Sequence, residues 1–76
     1  MISELDIVVL AEDIEDHALK RGDIGTVVHA YAEAAAYEVE FVTGEGETVA
    51  VLTLAADKIR PMHEHEILHV RTLATA

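Results

Sequence analysis

The sequence predicts an all-β fold: a small barrel of five or six short antiparallel strands with a C-terminal strand extension. Tyr37-Glu38-Val39-Glu40-Phe41 alternates apolar and charged side chains, the period of a strand with one buried and one wet face. Around it, other short β-branched runs are separated by turns that carry glycine. The chain has 76 residues, enough for one domain but near the size at which a single core barely outweighs chain entropy.

The first strand is read in Leu5-Asp6-Ile7-Val8-Val9-Leu10, with Val8 and Leu10 inward. Ala11 to Arg21 is acidic and has poor helical periodicity, so it is an excursion loop with room for one helical turn. Gly22 and Gly25 bracket Asp23-Ile24, where positive φ or close backbone approach would suit a tight entry into the strand Thr26 to Tyr31. Ala32-Glu33-Ala34-Ala35 has a helical composition, yet four residues between two β patterns form a hairpin loop, because an isolated helix of that length would not survive its nucleation cost. Ala36 to Val42 is the next strand, with Tyr37 and Phe41 in the core. Thr43-Gly44-Glu45-Gly46 turns the chain into the returning strand Glu47 to Leu54. Ala55-Ala56-Asp57 is a tight turn before Lys58-Ile59-Arg60, a short strand stopped by Pro61.

This divides the chain into a barrel over residues 1–61 and an extension over residues 62–76. Within the extension, a strand over Glu66 to Leu73 would place Leu68 and Val70 on one face and His69 and Arg71 on the other, a helix being the alternative. Such a strand would pack on the barrel or pair with a second copy of the chain, making a homodimer.

Strands in meander order, with a long loop after the first and a single tight turn before the last, describe a Src-homology-3-like barrel. Leu5 to Leu10, Leu19-Lys20-Arg21-Gly22-Asp23-Ile24-Gly25-Thr26-Val27-Val28, Ala36 to Val42 and Asp57-Lys58-Ile59-Arg60-Pro61 together resemble the small bacterial proteins of the domain of unknown function 4926 family. The closing Glu66 to Arg71 is similar to tails in that family. The resemblance implies a fold and a stand-alone protein that works with a neighbouring small protein. It implies no catalytic residues. The pattern is also similar to the barrel of nitrile hydratase β subunits and their activators, from which this chain departs in its shortness and its lack of a cysteine cluster.

Fifteen acidic residues against five basic ones give a net charge of -10. Such a surface repels a phosphate backbone, so no direct nucleic-acid contact is expected, and it steers the chain toward a basic partner protein. The absence of cysteine removes disulfides and thiolate metal sites and fits a cytoplasmic protein. Met1-Ile2-Ser3-Glu4 lacks the basic and apolar segments of a signal peptide, and no apolar run approaches membrane-spanning length.

His65-Glu66-Ile67-Leu68-His69 matches the zincin pattern, whose chemistry requires a helix so that both histidines reach one zinc while the glutamate polarises the metal-bound water. On a strand the two histidines stand about 13 Å apart, too far for one ion. His63 and His65, two apart on an extended segment, are the candidate metal ligands, against the simpler reading of a solvated polar segment. His29, inside a strand, is a face-exposed or hydrogen-bonded residue. Ser3 has no histidine and carboxylate beside it to make a nucleophile, and Arg21-Gly22-Asp23 is turn chemistry. The expected function is therefore that of a non-catalytic, cofactor-free accessory module. It docks a partner protein, as the neutralising member of a two-protein system, with Glu12, Asp13, Glu15 and Asp16 as the contact residues. The alternative is a small metal-binding protein or metal-dependent enzyme using His63, His65 and His69.

Overall fold

Alternating burial along residues 36–42 sets the architecture. In the computed structural model, which describes residues 2–73, Tyr37, Val39 and Phe41 are buried, while Glu38 and Glu40 lie on the opposite face. These residues belong to β3 (Ala36–Val42). It is preceded by β1 (Ile7–Leu10) and β2 (Ile24–Ala30) and followed by β4 (Thr48–Ala55) and β5 (Ile59–Pro61). All pairings are antiparallel, and the sheet order is β4-β3-β2-β1-β5. The first strand therefore lies between the second and the last, while β4 and β5 form the two edges.

One core gathers side chains from every strand: Val8 and Leu10, Val27, Tyr37 with Val39 and Phe41, Leu54, and Ile59. A flat sheet could not bring Leu54 and Ile59, from its opposite edges, into one cluster, so the sheet curls around its inner face. The outer face of β3 and β4 is stitched by polar pairs. Thr53 Oγ1 donates to Glu38 at 2.5 Å, and Thr48 Oγ1 donates to Glu40 at 2.8 Å. Thr53 and Glu38 are direct cross-strand neighbours in the register.

The two glycines before β2 act in different ways. Gly22 has φ of +96°, a left-handed conformation that a side chain would strain. Gly25 is buried on the inner face of β2 beside β3: a Cβ there would stand 2.5 Å from Val39 Cγ1 and 2.9 Å from Phe41 Cε1.

Element boundaries differ modestly from the sequence reading. The first strand begins at Ile7 because Leu5 takes a positive φ of 73°, yet the ladder reaches past it, with Leu5 N–H donating to the Val27 carbonyl. The Ala32–Ala34 and Ala56–Lys58 connections are single 3-10 turns.

One expectation fails outright: residues 66–73 form no strand. Both ladder sides of β1 are taken, by β2 and β5, which leaves the segment no main-chain partner there. Instead it lies across the sheet. Val9, on the outer face of β1, is buried beneath this extension, next to Arg60, Met62 and Leu68. The extension thus covers side chains and does not lengthen the sheet.

Candidate functional site

The acidic excursion between β1 and β2 is held in one shape by its own residues. Leu19 is buried in the core. Its N–H donates to the Ile14 carbonyl at 3.1 Å and its carbonyl accepts from Ile14 N–H at 2.8 Å, closing a small bridge. Inside that bridge runs a 3-10 turn, Glu15–His17, which ends at Ala18 with φ of 57° and an N–H bonded to the Glu15 carbonyl. The turn projects Glu15 and Asp16 into solvent.

The four acidic candidates separate in role. Glu12 is paired with Lys58 Nζ at 3.1 Å, and Asp13 Oδ1 accepts from Arg21 N–H at 2.8 Å. These two shape the loop. Glu15 and Asp16 make no side-chain hydrogen bond or ion pair among those of the described residues, so their charge is available to a partner.

A second feature lies between the sheet and the C-terminal extension, where a groove of about 680 Å³ opens. Ile24, Phe41 and Val42 line it from the sheet, and Leu68 and Leu73 from the extension. At its side Arg71 clasps Asp23: Nε donates to Oδ1 at 2.8 Å, and Nη2 donates to Oδ2 and to the Ala18 carbonyl. Asp23 also accepts from Lys20 N–H at 2.8 Å. Burial disfavours its charged form, but the Arg71 and Lys20 hydrogen bonds and the nearby positive charge outweigh this and hold its carboxyl below the ordinary value. The opposing Arg71 is raised, chiefly by its hydrogen bonds to Asp23.

The histidines do not gather. His63 and His65 are exposed on the turn after β5, and residues 65–69 carry no helix, so the zincin arrangement does not form. Glu66, the glutamate of that motif, is engaged by Arg60 Nη1 at 2.9 Å and Nη2 at 2.5 Å and by His63 N–H at 2.6 Å. These hydrogen bonds lower its carboxyl to about 2. Among the described residues, no three His, Cys, Asp or Glu side chains converge as a metal-ligand group. His29 is exposed, packs edge-on to Tyr31 at 4.6 Å, and has Nδ1 3.4 Å from Glu4.

The Asp23 and Arg71 pair, separated by 48 positions, was not anticipated from spacing. Its one sequence signal is that Arg71 is the lone Lys or Arg of an otherwise apolar and histidine-bearing segment.

Among the described residues, no helix is long and apolar enough to cross a membrane. A family model described as "Domain of unknown function (DUF4926)" matches residues 4–61. No curated protein and no solved structure matches the chain significantly.

Proposed function

Since the chain belongs to the DUF4926 family, whose description assigns no role, we propose its function from the geometry: it is a non-catalytic accessory module that docks a basic partner protein. In a two-protein system it would be the neutralising member. The observation that carries this reading is the rigid presentation of Glu15 and Asp16. The Ile14 and Leu19 bridge and the buried Leu19 fix the loop, so little conformational entropy is lost when a partner's cations meet these carboxylates. A net charge of -10 adds long-range steering toward such a partner.

Calorimetric titration against the basic product of a neighbouring gene, repeated at rising salt, tests the proposal. Affinity should fall steeply with ionic strength, and Glu15→Lys combined with Asp16→Lys should weaken binding at least about tenfold. Affinity independent of salt, or unaffected by the charge reversal, would refute it.

A further inference from the structure

We propose that the groove between the C-terminal extension and the sheet is a second docking site. It would take an extended segment of the partner protein in which an arginine is flanked by aliphatic side chains. Residues 67–73 lie along it as an internal stand-in for that segment. The inference rests on the partner-docking reading but uses none of the acidic-loop residues.

The extension is weakly attached for a segment that covers part of a core. Among the described residues, no main-chain hydrogen bond joins 67–73 to the sheet. Its polar anchorage is the Arg71 side chain, on Asp23 and on the Ala18 carbonyl. Ile67 and Val70 remain 92% and 91% exposed, so much of the apolar surface of the extension gains nothing from its present position. The groove beside it has aliphatic and aromatic walls and a volume in the range of ligand-binding clefts.

Charge determines which occupant can replace it. The Asp23 side chain is only 18% exposed, and removing Arg71 would leave a partly buried carboxylate without its cation. An entering segment must therefore supply its own, and a planar guanidinium reproduces the two-pronged contact that an ammonium cannot. Aliphatic neighbours would fill the walls now faced by Leu68 and Leu73. The net charge of -10 favours such a segment on a basic protein over one on a second copy of this chain, because two copies repel.

The test uses a labelled, end-blocked octapeptide with the sequence of residues 66–73, with binding read by fluorescence anisotropy. Arg71→Ala in the full chain empties the Asp23 contact, and this variant should bind the peptide at least about tenfold more tightly than the unaltered chain. Adding Asp23→Asn, or replacing the peptide's arginine by alanine, should abolish that gain. If Arg71→Ala does not fold, the unaltered chain at saturating peptide should show the Arg71 Nε–H and the Leu68 and Leu73 methyl resonances shifted toward their unstructured positions, as the internal segment is displaced. Equal affinity with and without Arg71, indifference to the peptide's arginine, or unshifted Arg71, Leu68 and Leu73 resonances would overturn the proposal. So would light scattering that shows the unaltered chain as a dimer with exchanged extensions, since the groove would then belong to a second copy. Loss of salt-dependent binding at Glu15 and Asp16 leaves these outcomes unchanged, so the two readings fail separately.

Discussion

The Val39 side chain, from neighbouring β3, reaches over the inner face of Gly25 on β2 and leaves room there for a hydrogen and for nothing larger. A Cβ at residue 25 would meet Val39 Cγ1 at 2.5 Å, Phe41 Cε1 at 2.9 Å and the Glu40 carbonyl oxygen at 3.1 Å. Val39 is fully buried and its β-branched side chain is restricted at χ1, so it yields little, and the Glu40 contact is backbone.

Gly25→Ala should therefore destabilise the fold by about 1–3 kcal/mol through overpacking. Gly44→Ala, in the open hairpin where an added Cβ meets nothing within 4 Å, should stay within about 0.5 kcal/mol. Urea midpoints of the two variants provide the comparison, and equal shifts would contradict it.

The Asp23 and Arg71 pair makes stability depend on acid. The carboxyl of Asp23 is lowered from an ordinary value of 3.8, so its contribution is complete above that pH and is lost as pH falls through the lower folded value. Arg71→Ala should cost about 1 kcal/mol at neutral pH, a modest figure because the pair is partly solvated. It should also flatten the loss of stability below pH 3.8. Urea unfolding at a series of acidic pH values measures both effects.

Glu66 gives a local acid response. Its folded carboxyl lies at about 2 against an ordinary 4.5, so the turn it ties to Arg60 and His63 is intact above pH 4.5 and loosens as pH falls toward 2. Protection of the His63 amide hydrogen, which Glu66 accepts, should fall over that interval when its exchange rate is compared with that of an unstructured peptide at the same pH. Glu66→Gln should remove the pH dependence of that protection.

Leu19 links the acidic loop to the core, and Leu19→Ala should destabilise by about 2–4 kcal/mol. It should also weaken binding of the proposed basic partner by freeing the loop, although no acidic residue is changed. Calorimetry under conditions where the variant is fully folded separates the two effects; unaltered affinity would show that the pinning is irrelevant to recognition.

How far the fold could be read from sequence followed the range of the interactions. Tyr37 to Phe41 encodes its own burial, because a period of two is local, and the structure places those side chains as the alternation requires. At Gly22 and Gly25 the sequence calls for positive φ or close approach, and each realises one of the two. The extension departs from its strand pattern because β-branched Ile67 and Val70 satisfy strand propensity equally well in a segment that joins no ladder. Whether such a segment adds to a sheet edge or lies across a face is decided by contacts distant in sequence, such as Arg71 on Asp23, which no local pattern carries. The acidic candidates were visible as composition. Their division into loop-shaping Glu12 and Asp13 and outward Glu15 and Asp16 depends on where Lys58 and the Arg21 amide come to rest.

At the opposite edge, β4 runs Thr48 to Ala55 without a charged residue or a proline, paired on one side only. Natural sheets commonly guard such a rim with lysine or a bulge; here the register shift opposite Phe41 and Val42 leaves Val49 as an extra residue near the start of β4, and beyond it the net negative charge is the remaining guard. Near the isoelectric point of about 4.6 the repulsion vanishes. Concentrated samples brought to that pH should become turbid, with strand zipping onto strand, well before the core itself unfolds.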